Sequence, residues 1–229
     1  LTAVLRSEGY YDSEVDYRLD EESTPILVTL VIERGDPYLI KDYEIAYTGD
    51  VDHSGLPSDP AELGVELGRR ARGSTIVAAE GKLLALLAQR GHPLAGIDSA
   101  RHEIDREARV LRSRVTVSPG PAVGFGPLTF TGLVDVEEAY MQRIPPFDTG
   151  QRYDRRLIDD FRQDLLDTRL FSAVAIEPAD RPDGDGNLPL TITLEERDFR
   201  TVGGGLSWGT DEGWELTAFW EHRNFFYQN

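Results

Sequence analysis

Leu5-Arg6-Ser7-Glu8-Gly9-Tyr10, Leu87-Ala88-Gln89-Arg90-Gly91-His92 and Leu166-Asp167-Thr168-Arg169-Leu170-Phe171 are three versions of one event, a helical pattern that breaks before an alternating strand. The strands that follow contain Val15, Ile97, and Val174 with Ile176. Successive versions are separated by roughly 80 residues, and self-similarity at a fixed period marks a repeated supersecondary unit.

The middle repeat can be read from end to end. Tyr38, Ile40, Tyr43, Ile45 and Tyr47, closed by Gly49, make a first strand. Asp59-Pro60-Ala61-Glu62 joins an N-cap acid, proline at the first helical position and a second acid, which predicts a helix from there to about Arg72. After Gly73 a second helix carries Ile76, Leu83, Leu84 and Leu87 on one face and stops at Gly91, ahead of Pro93. Strands over 100–106 and 108–117 complete the unit. The third repeat keeps this order. Leu128, Phe130 and Gly132 stand for Ile45, Tyr47 and Gly49; Asp135 with Glu138 predicts a cap, and Pro145-Pro146 a break. Tyr153, Leu157, Phe161 and Leu165 predict a buried helical face, with strands over 173–177 and 188–195 after it. Of the first repeat only the last helix and the hairpin of 14–20 and 26–34 are present, so the chain reads as a fragment that begins inside a unit.

Each complete unit is therefore α+β in the order β-α-α-β-β, two helices over one face of a three-stranded sheet. The expected domains are a partial unit at 1–34, complete units at 35–118 and 119–197, and a distinct segment at 198–229. In that segment 201–208 and 214–221 alternate with period two around a Gly-rich turn. Trp214, Leu216, Ala218 and Trp220 share one face, and Glu215, Thr217 and Glu221 the other. Both a transmembrane barrel strand and a half-buried hairpin of a soluble sandwich alternate in this way.

Composition narrows the function. Forty-one acidic residues against 24 Lys and Arg give a net charge of −17, which argues against a general nucleic-acid binder. Cysteine is absent, which removes disulfides, thiol catalysis and zinc-thiolate sites. Neither a signal peptide nor an apolar run of about 18 residues occurs, so no membrane-spanning helix is expected. His53, His92, His102 and His222 are scattered through the chain without metal-ligand spacing. Asp183-Gly184-Asp185-Gly186-Asn187 opens like a calcium loop but has leucine at the required glycine and at the twelfth position, so it reads as a hairpin turn. Gly203-Gly204-Gly205 is followed by neither a helix start nor a lysine and is no phosphate loop. The residues predict no enzyme and no cofactor.

The stretch Glu195-Glu196-Arg197-Asp198-Phe199-Arg200-Thr201-Val202-Gly203-Gly204-Gly205 resembles the junction between a POTRA domain and the first barrel strand in the BamA/TamA superfamily of outer-membrane assembly factors. Trp220-Glu221-His222-Arg223-Asn224-Phe225-Phe226 is similar to the end of the second barrel strand and leans toward the TamA branch. The resemblance implies tandem POTRA domains in the periplasm of a Gram-negative envelope, followed by a barrel of which this chain holds the first hairpin. It implies unfolded outer-membrane or autotransporter proteins as clients, an inner-membrane-anchored partner of TamB type, and contact with outer-membrane lipid through the barrel. Two other readings compete with it, a two-partner secretion pore and a soluble repeat scaffold that binds peptides.

A three-stranded sheet covered on one face leaves unpaired backbone groups at its margins, where an extended peptide can add as a strand. The superfamily implies this role for the second strand of each unit: Glu14, Val15, Asp16, Tyr17 and Arg18; Arg101, His102, Glu103, Ile104 and Asp105; Ala173, Val174, Ala175 and Ile176. Charge on such an edge is equally a device against aggregation. The resemblance also implies a barrel seam at the first strand. Gly203, Gly204 and Gly205 are the candidates, because consecutive glycines pair weakly and fix register poorly.

Overall fold

Ile76, Ala79, Leu83 and Leu87 are spaced by three and four residues. In the computed structural model they form the buried stripe of a helix, α2 (Gly73–Gln89). The structure describes residues 1–20, 26–49, 52–197, 200–209 and 213–222. They fall into two compact units, Leu1–Pro121 and Ala122–Asn229.

The first unit opens with α1 (Thr2–Ser7) and the antiparallel pair β1 (Glu14–Asp20) and β2 (Leu27–Glu33). Its three-stranded sheet is made of β3 (Leu39–Tyr47), β4 (Gly96–Asp105) and β5 (Val110–Ser118). The order is β3-β5-β4, with β3 parallel and β4 antiparallel to the central strand. Leu111, Val115 and Val117 on β5 and Ile40 and Tyr43 on β3 share a core with the α2 stripe. The partial repeat is joined to this sheet by specific contacts. The Tyr38 amide donates to Gly9 O at 2.8 Å, the Tyr38 hydroxyl donates to Asp12 at 2.7 Å, and Tyr11 meets the Tyr38 ring edge-on at 5.1 Å. Arg34 and Arg70 both lie over the Tyr10 ring.

In the second unit β6 (Gly124–Thr131), α3 (Glu138–Met141), α4 (Arg155–Asp167), β7 (Phe171–Pro178) and β8 (Asn187–Glu196) repeat the plan, with sheet order β6-β8-β7. Its core is aromatic. Phe147 stacks on Phe125 at 3.8 Å and meets Phe161 edge-on at 5.8 Å, while Tyr153 packs beside Phe125 at 5.0 Å. A separate antiparallel pair follows, β9 (Arg200–Gly209) and β10 (Gly213–His222). Asp183–Asn187 is the β7–β8 turn, with the Asp185 and Asn187 amides donating to the Asp183 carboxylate.

Four expectations are corrected. The helix predicted from Asp59 to Arg72 is one 3-10 turn, Pro60–Leu63. Asp59 does cap it, accepting from the Ala61 amide, but Gly64 at φ 80° and Gly68 at φ 79° turn the chain away, so one helix plus this turn covers the sheet. Asp135 caps nothing. The Glu196 carboxylate instead accepts from the amides of Val134, Asp135 and Val136, and α3 starts after Glu137 without a side-chain cap. Leu157 is only half-buried and Ile158 takes the inner position, because Tyr153 precedes the helix and steps of three and four from Ile158 keep Phe161 and Leu165 on one stripe.

The fourth correction concerns the repeat's register. A left-handed residue follows each helix, Gly9 at φ 88° and Gly91 at φ 91°, and its counterpart in the third repeat is Arg169 at φ 61°. Leu165 therefore corresponds to Leu87, one residue earlier than the sequence reading placed it. A side chain in this conformation carries a penalty that glycine lacks. Arg169→Gly should stabilise the protein by about 0.5–1 kcal/mol in urea denaturation; a loss of stability would contradict this account of the helix end.

Candidate functional site: the free strand edges

Both complete repeats close one edge of their sheet and leave the other open. In the first unit the segment 68–71 lies along β3. Gly68 donates to Ile40 O at 2.7 Å, Ile40 to Arg69 O at 2.8 Å and Ala71 to Tyr38 O at 2.8 Å. In the second unit 150–153 does the same to β6, with Gly150 donating to Phe125 O, Phe125 to Gln151 O and Tyr153 to Val123 O. Single β-bridges, Leu39 to Arg70 and Gly124 to Arg152, mark each strap. Both straps begin at a left-handed glycine, Gly68 and Gly150 at φ 79° and 84°. The matching Gly68-Arg69-Arg70 and Gly150-Gln151-Arg152 carried that signal in the sequence, hidden in the middle repeat by the predicted helix.

Among the described residues no strap covers the second strand. Arg101, His102, Glu103, Ile104 and Asp105 lie on β4, which pairs only with β5, and Ala173, Val174, Ala175 and Ile176 lie on β7, which pairs only with β8. Among the described residues no further strand joins either. Glu14, Val15, Asp16, Tyr17 and Arg18 lie on β1, in a two-stranded sheet whose partner is β2. The three segments belong to three different sheets.

The β4 edge carries chemistry that the sequence did not reveal. Across the inner side of the sheet the register aligns Tyr43, Ser113 and His102. His102 Nδ1 is 3.2 Å from Ser113 Oγ, and its Nε2 is 3.2 Å from the Glu80 carboxylate on α2. One imidazole thus ties the edge strand to the central strand and to the helix. Ser113 is 3% exposed, which rules out attack on a substrate by its hydroxyl in this arrangement. The Tyr43 hydroxyl is buried with no hydrogen-bond partner, and burial first, then the nearby Glu80 carboxylate, pushes its pKa up to about 12. Among the described residues no three His, Asp or Glu side chains are grouped to hold a metal.

Gly203, Gly204 and Gly205 pair with Phe219, Ala218 and Thr217. They are not equivalent. A β-carbon on Gly203 would lie 2.2 Å from the Phe219 ring, which packs over it, whereas Gly204 and Gly205 meet nothing closer than 3.4 and 4.0 Å. Leu206, Trp208, Trp214 and Leu216 are all more than half exposed, and the two tryptophan rings sit 6.4 Å apart. The register puts these residues on one face with Gly204 and Ala218, and places Ser207, Glu215 and Thr217 on the other. No helix among the described residues is long and apolar enough to cross a membrane, which says nothing of strands. Residues 198–199, inside the junction stretch, and 223–226, which carry the TamA-like wording, lie outside the described residues.

No family model matches the chain. Among solved structures, the third to fifth POTRA domains of BamA from Haemophilus influenzae are 20% identical with a TM-score of 0.60, over 84% of this chain and 76% of that one. BamA from Haemophilus ducreyi lacking POTRA domains 1–3 is 17% identical with a TM-score of 0.66, over 83% of this chain and 35% of that one. The present chain thus spans about a third of the second structure's length. At such identities the likeness is one of architecture: the α+β units of this chain have the POTRA fold.

Proposed function

We propose that this chain is the POTRA portion of an outer-membrane assembly or secretion factor of the BamA/TamA superfamily, acting without catalysis in the periplasm. Its task is to take up extended segments of client proteins as added strands on β4 and β7. The observation that carries this reading is the repeated asymmetry of the sheets. Each repeat spends its own backbone on sealing the first strand and leaves the second strand's donors and acceptors available. The hairpin of β9 and β10, apolar on one face and polar on the other, is the start of a transmembrane barrel in this reading. Autotransporter clients and a TamB-type partner go with the TamA branch and rest on the sequence resemblance.

Proline scanning of the edge tests the docking role. Amides of successive strand residues point to opposite sides, so of Arg101→Pro and His102→Pro one removes a ladder donor and the other an outward donor. The variant that keeps its fold by circular dichroism should bind an unfolded client about tenfold more weakly. Wild-type binding by that folded variant would reject the reading.

The glycine strand makes a separate demand on the barrel. Gly203→Val in the full-length protein should lower the yield of folded barrel, because Phe219 must leave its place, while Gly205→Val should raise heat stability by filling open space with a residue that favours strands. If Gly205→Val also leaves client insertion at its normal rate, the seam at this position does not need to open.

A further inference from the structure

Charged rows cross the outer face of the first unit's sheet. From β3 through β5 to β4 they read Glu44, Arg114, Arg101 and Asp42, Arg112, Glu103. Glu44 holds Arg114 at 2.7 Å, and Asp105 holds Arg112 at 3.1 Å. On β4 both members are left over. Arg101 stands directly across from Arg114, a like-charge pairing that destabilises a sheet, and Glu103 stands across from an Arg112 already turned to Asp105. Among the described residues neither Arg101 nor Glu103 has an ion-pair partner, and both are exposed. They are the outermost positions of their rows, on the strand whose far side is open.

A strand added to β4 would fill the next place in each row. Its side chains would alternate between faces, so one residue would come opposite Arg101 and another, two positions along, opposite Glu103. Residues at the intervening positions would face inward, on the side of Ile104, which is 40% exposed. A simple anion is a poor occupant, because Glu44, Glu103 and Asp105 surround the three arginines. We infer that the β4 edge selects extended segments carrying an acidic and a basic residue two positions apart, the acid set against Arg101 and the base against Glu103, with apolar residues at alternate positions. The inference rests on the strand-docking reading and adds a chemical preference to it. Direction is encoded as well: an antiparallel guest presents base-x-acid from its N-terminus, and a parallel guest acid-x-base.

The test uses peptides of alternating Val and Thr, about ten residues long. Their central outward positions are Lys-x-Glu, Glu-x-Lys, Glu-x-Glu or Lys-x-Lys, and binding to the full chain is measured by fluorescence anisotropy. One mixed-sign peptide should bind about three- to tenfold more tightly than both same-sign peptides, and high salt should erase the difference. The double variant R101E/E103K should transfer the preference to the mixed-sign peptide of opposite order. Equal binding of all four, reduced by the folded edge-proline variant, would overturn the charge preference and leave strand docking in place. Absence of binding, or binding that the edge-proline variant does not weaken, would overturn both.

Discussion

Phe161→Ala should destabilise the second unit by about 3–5 kcal/mol, the range for truncating an enclosed aromatic residue. Phe161 is fully buried and packs at right angles to Phe147, which itself stacks on Phe125, so its removal opens a hole that a rigid aromatic cluster closes poorly. Leu157→Ala, on the half-buried flank of the same helix, should cost only about 1 kcal/mol. Urea denaturation of the full chain, followed by far-ultraviolet circular dichroism, separates the two. Similar losses for both would show that the helix presents a different face to the sheet.

Gly132→Ala should cost about 3 kcal/mol or more, although it adds one methyl group. Gly132 has φ 86°, and its β-carbon would lie 2.0 Å from Leu194 O, so the end of β6 must separate from β8 to admit it. Gly49 is its counterpart in the preceding repeat and shares the left-handed backbone at φ 89°, but has nothing within 4 Å. Gly49→Ala should therefore show the conformational penalty alone, about 1–2 kcal/mol. The difference between the two variants isolates the steric contribution; equal losses would mean that the β6 end relaxes freely.

The period and the strands were legible because alternation and helix breaks are local signals. Glu14–Asp20 was delimited to the residue, and the α2 stripe matched at Ile76, Leu83 and Leu87 but included the half-buried Leu84 and missed the buried Ala79. What failed depended on distant partners. Asp59-Pro60 is a sound helix start, yet the helix ends after one turn because two left-handed glycines lead the chain to the edge of β3. Asp135 looked like a cap, but its amide is held by Glu196, far away in sequence. The candidate edges could be named from strand order once a resemblance supplied that order. Neither their openness nor the Glu80–His102–Ser113 link could be read, since both arise from segments that meet only in the folded sheet.

Whether the second strand rather than the first receives clients is decided by site-specific photocrosslinking in the full-length protein during client assembly. A photoreactive residue placed at 101 or 103 on β4 should crosslink to client, and one placed at 69, on the strap that seals β3, should not. Client crosslinks from position 69 as strong as those from β4, or none from β4 while assembly proceeds, would contradict docking on the second strand.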